Sequence, residues 1–319
     1  MARVETLFQT VGPQVMTADL VYILSPSYSG STLLTILLAT HPEICTVGEL
    51  KASALGDTAI YRCSCGSLLE ECHFWVGLRL AARQAGIDFE FQDFKTHFGI
   101  GPHFYRKLMR LVARNRAMAL LGQLGVQNVP AYHFRLKDTV ARNEFLIDFI
   151  TKAQKGRIFL DSSKDPERLA IFRSRLKRKI KVIYLLRDGR GVTNSYIKHY
   201  AVSMSRAARE WLATQRACDQ VLRRFPKTDI VTVRYEDLCA DPEETLGRVL
   251  EKIDLEYVPV SSRKPVGGLH ILGNDMRLSF SNAITPDQKW KLELQKEDHQ
   301  VFDALAGWRN RLNGYSPVC

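Results

Sequence analysis

The apolar positions of this chain fall into short continuous runs separated by longer stretches in which they recur every three or four residues. "LVYIL" (20–24), "RIFLDSS" (157–163), "IKVIYLLRD" (180–188) and "DIVTVRYEDL" (229–238) read as strands, the third most clearly and the fourth ending in a polar turn. Helical spacing follows each of them. A helix is expected over 33–39, ending near His41-Pro42, and another over "DPERLAIFRSRLKR". "DGRGVTNSYIKHYA" reads as a helix beginning near Asp188, and "SRAAREWLATQRACDQVLRRF" as a long amphipathic one. "DPEETLGRVLEKIDL" opens with Asp241 as N-cap, Pro242 at the first helical position and Glu244 three residues after the cap. This alternation predicts an α/β fold, a central parallel sheet flanked by helices. Ligands in such sheets bind at the carboxyl ends of the strands. A Ser/Gly turn at 25–32, Lys164, Arg187 and Tyr235 all follow expected strands, so they are candidates for one edge.

Residues 67–155 interrupt the alternation with a mainly helical pattern. They read as an insertion over the sheet edge within a single domain spanning 1–319, since no repeat, low-complexity tract or linker divides the chain. Inside the insertion, "FYRKLMRLVARNRAMALLG" (104–122) is basic and amphipathic. Its pattern suits a membrane surface or an acidic partner, and equally one solvated face over a core. The aromatic residues Phe89, Phe91, Phe94, Phe98, Phe104 and Tyr105 suit either an acceptor pocket or a hydrophobic core.

The turn carries the first chemistry. In "VYILSPSYSGSTLLTILLATHPE" (21–43), a strand, a tight turn and a helix aim backbone N–H groups and the positive helix end at one point, as an anion site requires. The Walker signature G-x-x-x-x-G-K-[ST] is not met: Ser25 stands where the first Gly belongs and Ser31 where the Lys belongs. The turn therefore needs a cation from elsewhere.

Charge suits an anionic ligand and, equally, a generally basic surface. The 319 residues carry a formal net charge of +11, with 45% hydrophobic and 25% charged residues, a globular balance. The N-terminal "MARVETLFQTVGPQVMTADL" contains Glu5 and Asp19 and no sustained apolar core, so no signal peptide is expected and a cytoplasmic protein is. Seven cysteines, an odd number, argue against a fully paired secreted framework.

"SPSYSGSTLL", "LDSSKDPERL", "YLLRDGRGVTNSY", "VRYEDLCADPEETL" and "LGNDMR", in this order, resemble the sulfotransferase family that uses 3′-phosphoadenosine 5′-phosphosulfate (PAPS). The resemblance runs from about residue 20 to 280. It implies a fold related to P-loop nucleotide kinases and transfer of a sulfuryl group to a hydroxyl or amine, with release of 3′,5′-phosphoadenosine (PAP). By that resemblance, Ser29, Gly30, Ser31 and Thr32 cradle the 5′-phosphate, and Arg187 and Ser195 bind the 3′-phosphate. Tyr235 lies beside the adenine, or is a core tyrosine. Lys264 and Arg277 belong to a late basic loop closing over the 3′-phosphate. Many relatives carry Lys or Arg two positions before the turn glycine, where this chain has Tyr28. Lys164 in "DSSKDP" resembles the sulfuryl-contacting lysine of the tyrosylprotein branch and is a replacement, with Ser195 assisting at the leaving oxygen. Glu49, 21 residues after Tyr28, is the expected base by the same branch's spacing, with His199 and His270 as weaker candidates. No metal is expected in the reaction.

"YRCSCGSLLEECHFW" gathers Cys63, Cys65, Cys72 and His73. C-x-C is not the usual zinc spacing, and no second pair follows, which leaves reduced thiols, a disulfide, zinc and redox sensing open. The expected acceptor is a small molecule, lipid or saccharide, with no nucleic-acid partner. Two rivals remain: a small-molecule kinase of related fold, revealed by Mg²⁺-dependent ATP turnover, and a non-catalytic basic anion-binding module, revealed by retention on DNA or liposomes.

Overall fold

The computed structural model describes residues 18–52, 55–98, 130–258, 263–280 and 284–316. The basic stretch 104–122 lies outside them. Five strands form one sheet: β1 (Asp19–Leu24), β2 (Ile44–Thr46), β3 (Ile158–Lys164), β4 (Ile180–Leu186) and β5 (Ile230–Arg234). Their order is β2-β3-β1-β4-β5, and every pairing is parallel. The helices used below are α1 (Ser31–Ala39), α2 (His73–Gln84), α3 (Pro130–Ala153), α4 (Pro166–Arg175), α5 (Gly189–Tyr200), α6 (Met204–Leu222), α7 (Tyr235–Ala240) and α8 (Pro242–Lys252).

The near-continuous apolar runs of β1 and β4 reflect burial on both faces. Leu20, Tyr22 and Leu24 point into a core built with residues of α2, α3, α4 and α6. Val21 and Ile23 point the other way, toward α1, α7 and α8. Each fully buried aliphatic side chain of this kind contributes about 1.5–3 kcal/mol relative to exposure. The expected cap at Asp241 forms, accepting from the Glu244 N–H, and Asp188, near which a helix start was expected, caps α5 by accepting from the Arg190 N–H. The fourth expected strand is shorter than its apolar pattern. It stops at Arg234, and "YEDL" turns into α7, whose first turn carries Glu236 and Asp237, charges that favour a helix N-terminus.

Phe89, Phe91 and Phe94 are fully buried, so these aromatics are core rather than pocket wall, and Phe98 packs against the same core. That core also encloses an ion pair. The Arg168 guanidinium of α4 meets Asp161 of β3 at 2.9 Å, donates to the Thr96 carbonyl (2.7 Å) and to Asn143 of α3 (2.6 Å), and lies 4.4 Å over the Phe172 ring. Both charged side chains are essentially inaccessible to water. The other Asp161 oxygen accepts from the Ser163 N–H and hydroxyl, shaping the end of β3. Truncating one partner leaves a buried, unpaired charge. Arg168→Ala should therefore lower the unfolding free energy by about 3–5 kcal/mol, measured by urea denaturation.

Candidate active site

The connections leaving β1 and β4 run to opposite sides of the sheet, which opens a crevice at their carboxyl ends. A cavity of about 480 Å³ occupies this edge. Its walls include Tyr28, Gly30, Ser31 and Thr32 after β1, Glu49 after β2, Lys164 at the end of β3, Arg187 and Ser195 after β4, and Tyr235 after β5.

The turn after β1 is built to expose its backbone. Tyr28 and Gly30 both have positive φ (64° and 87°), and a Cβ on Gly30 would lie 2.4 Å from the Tyr235 ring. No side chain caps α1, and its first turn holds no acidic residue, so its N–H groups face the cavity without a built-in anion. Ser25 and Ser29 are fully buried, and their hydroxyls have no hydrogen-bond partner among the described residues. Ser29 is not among the cavity walls. These features suit a phosphate.

Tyr28, two positions before the turn glycine, supplies no charge. Burial first, then the Tyr200 hydroxyl, raises its phenol pKa well above the ordinary range. Its ring packs edge-on against Tyr196 (5.2 Å) and Tyr200 (6.4 Å) and beside His199 (5.7 Å), forming an aromatic wall.

Positive charge comes from two other strand ends. Arg187 is nearly buried. It donates to the Tyr28 carbonyl (2.8 Å), lies 4.6 Å over the Tyr235 ring, and pairs with the Asp287 carboxylate (3.0 Å) and carbonyl (2.8 Å). Tyr235 in turn accepts from the Asp287 N–H, and burial pushes its own hydroxyl up to about 12. Burial alone would raise the Asp287 pKa, but Arg187 and the Lys289 N–H outweigh it and hold the carboxyl below the usual range. Ser195, on α5, donates to the Gly191 carbonyl at 3.1 Å. Lys164, the second cation, has a left-handed backbone (φ 63°) and pairs directly with Glu49. Two residues selected from distant parts of the sequence thus touch. Glu49 is held from behind by the loop at Gly273, where a Cβ would come within 3.3 Å of its Oε1.

Lys264 and Arg277 do not reach this cavity. The Lys264 ammonium donates to the Ile44 carbonyl, and burial lowers its pKa. The Arg277 guanidinium is buried, donates to the Arg62 and Gly273 carbonyls, and lies 4.3 Å over the Tyr61 ring. Both act as struts in this structure, because backbone carbonyls of neighbouring loops already use their donors. Of the two histidines, His199 borders the cavity, whereas His270 sits among cysteines. The sequence reading missed Asp287, Tyr61 and Tyr200, which reach the cavity from loops and a helix end with no motif of their own.

A sulfotransferase family model matches residues 103–259. The sulfotransferase domain of the Synechococcus PCC 7002 olefin synthase is similar in structure, with 19% identity and a TM-score of 0.52 over 95% of this chain and 98% of that one. The sulfotransferase domain from the curacin biosynthetic pathway matches at 18% identity and a TM-score of 0.47 over 91% and 98%. Mouse sulfotransferase SULT7A1, solved with PAP, matches at 9% identity and a TM-score of 0.43 over 98% and 93%. No curated protein matches in sequence.

Family match and fold agree on the sulfotransferases.

In this sulfotransferase fold the turn after β3 needs its own support, since it presents Lys164 in a strained conformation. The Tyr22 hydroxyl donates to the Asp165 carbonyl and accepts from the Asp165 N–H, both at 3.0 Å. The Asp165 side chain caps α4 and pairs with Lys51. Burial alone would raise its pKa, but Lys51 and the N–H groups of Arg168 and Glu167 outweigh this and lower it. A depressed carboxyl contributes stability that is complete above its unfolded pKa of about 3.9 and is lost as pH falls through the folded value. Asp165→Asn keeps a capping side chain but removes the titration. Its unfolding free energy should fall less than that of the wild type between about pH 5 and pH 2, read from urea midpoints across that range.

Proposed function

We propose that this protein transfers a sulfuryl group from PAPS to a hydroxyl, or an amine, of a small-molecule, lipid or saccharide acceptor, releasing PAP. The observation that carries the reading is the convergence of the uncapped α1 turn, Arg187, Ser195, Lys164 and Glu49 on one cavity at the sheet's switch point.

In this reading the first turn of α1, with Ser31 and Thr32, holds the 5′-phosphate. Arg187 and Ser195 hold the 3′-phosphate, the guanidinium giving a rigid charged fork. The Tyr235 ring, already under Arg187, borders the nucleoside. PAPS supplies the activated sulfuryl group. Lys164 neutralises charge on the oxygen that bridges sulfur and the 5′-phosphate. Glu49 takes the acceptor's proton as the new O–S bond forms and the bond to the 5′-phosphate breaks. Transfer of this type depends on alignment and charge neutralisation more than on covalent help. The Lys164–Glu49 pair orients both groups before substrate arrives, and an acceptor hydroxyl separates them as it enters. Among the described residues, no helix is long and apolar enough to cross a membrane.

The test is calorimetric titration of PAP, without metal and then with Mg²⁺. Binding should be metal-independent, and Arg187→Ala should weaken it tenfold or more, about 1.4 kcal/mol. Glu49→Gln and Lys164→Ala should retain PAP binding within severalfold yet lose most turnover with PAPS, Lys164→Ala by about a hundredfold or more. No binding of PAP by the wild type would refute the cofactor assignment, and ATP turnover with Mg²⁺ would favour a kinase.

A separate expectation concerns Asp287, which pairs with Arg187 where the reading places a phosphate. Asp287→Asn should tighten PAP binding, measured in the same titrations, because a competing carboxylate is removed while the backbone contacts to Arg187 and Tyr235 persist.

A further inference from the structure

The cysteines left open by the sequence come together with a residue that their motif does not contain. The thiols of Cys63, Cys65 and Cys72 and a ring nitrogen of His270 all lie within 4.8 Å of one another. Cys65 Sγ is 3.6 Å from Cys72 Sγ, and His270 Nδ1 is 3.3 Å from Cys72 Sγ and 3.6 Å from Cys63 Sγ. A disulfide requires about 2.05 Å, and all three cysteines are free. A tetrahedral ion with Zn–S near 2.3 Å and Zn–N near 2.0–2.1 Å places neighbouring ligand atoms roughly 3.5–3.8 Å apart. Two of the separations fall at that spacing and a third, 3.3 Å, just inside it, while the whole set spans no more than 4.8 Å, so small side-chain adjustments close the four atoms around one ion.

Backbone geometry independent of the thiols sets these positions. The segment Cys63–Ser67 is a tight turn: the Cys63 N–H donates to the Ser67 carbonyl, and the Gly66 N–H to that of Cys63, with Gly66 at φ 90°. Cys72 is the N-cap of α2, a position that favours a thiolate. The Ser64 hydroxyl donates to the Leu269 carbonyl and accepts from the Ile271 N–H, both at 2.7 Å, bracketing His270. The His270 ring stacks on Phe74 with centroids 4.8 Å apart and only 3° between planes, and it meets His73 edge-on. Cys63 and Cys72 are inaccessible to solvent, and His270 nearly so.

We propose that Cys63, Cys65, Cys72 and His270 form a structural zinc site. Three thiolates and an imidazole are a closed donor set, with no vertex left for water. Sulfur donors favour zinc over the oxygen-seeking Mg²⁺ and Ca²⁺. The centre would carry a net charge of −1, and Arg62, which donates to the Gly66 carbonyl at 2.8 Å, flanks it. The ion joins two segments far apart in sequence, 63–72 and the loop at 270. Their immediate neighbours Tyr61, Leu272 and Gly273 line the cavity: the Tyr61 hydroxyl donates to the Gly273 carbonyl (3.1 Å) and accepts from the Gly273 N–H (2.9 Å), and the Leu272 N–H donates to the Val47 carbonyl (2.8 Å), two residues before Glu49. The site is therefore a clip for the loop behind Glu49, and its existence does not depend on what the cavity transfers.

The full chain, purified under reducing conditions without added metal or chelator, should contain about one zinc per molecule by elemental analysis. The metal-free reduced chain titrated with Co²⁺ should show the intense visible bands and sulfur-to-metal charge transfer of a tetrahedral thiolate site. Cys72→Ser and His270→Ala should lose the bound zinc, whereas Cys218→Ser, a buried cysteine outside the cluster, should keep it. Uptake of neither Zn²⁺ nor Co²⁺ by the reduced wild type would overturn the proposal. So would a disulfide among the three cysteines in the intact mass, or zinc retained in Cys72→Ser. If the variants do not fold, the stoichiometry and cobalt spectrum of the wild type decide the question.

Discussion

The Arg187 guanidinium is the contact on which the site's architecture depends. It stands at the end of β4, takes the carbonyl of Tyr28 from the turn after β1, lies over Tyr235 from the end of β5, and pairs with Asp287 from a late loop. One side chain thereby fixes the crevice where the sheet's connections diverge. The arrangement is economical because a guanidinium carries five donors in a rigid plane whose faces remain apolar enough to stack. The tight approach of Gly30 to the Tyr235 ring follows from the same packing: the turn can come close only where a side chain is missing.

The cationic edge rests on a second, deeper constraint. Asp161 and Arg168 are buried together, and the shared hydrogen bonds to Thr96, Asn143 and Ser163 tie the end of β3 to α4 and to the segments inserted before it. Such a pair is costly to desolvate and so adds little net stability, but breaking it is severe. Its effect is geometric. It fixes the strand end immediately before Lys164, and Tyr22, Asp165 and Lys51 fix the turn immediately after. Lys164 is thus held in a left-handed conformation by neighbours on both sides, as a strained residue must be to persist.

Four of the five strands, their parallel arrangement and the sheet edge where the candidate residues lie were legible in the chain, because burial on both faces writes itself as uninterrupted apolar runs, whereas β2, three residues long, is too short to write such a run. The Ser/Gly turn, Arg187, Ser195, Lys164, Glu49 and Tyr235 were legible as strand-end positions, and the structure brings them to one cavity. Lys264 and Arg277 were not distinguishable from ligand-binding bases, since a strut and a phosphate contact present the same residue type in the same irregular segment. Asp287 and Tyr61 carry no local signal. The phenylalanines of the insertion satisfied two patterns equally, and only packing assigned Phe89, Phe91 and Phe94 to the core.

The sequence by itself determined the α/β class, the strand ends and the chemical types available there, since periodicity and capping are local properties of the chain. Tertiary structure alone decided which distant groups meet. It paired Lys164 with Glu49, set Asp287 against Arg187, and brought His270 to three cysteines 198 or more residues earlier. Those meetings depend on how loops return to the sheet, and a linear spacing cannot encode a contact whose second partner is fixed by the packing of everything between.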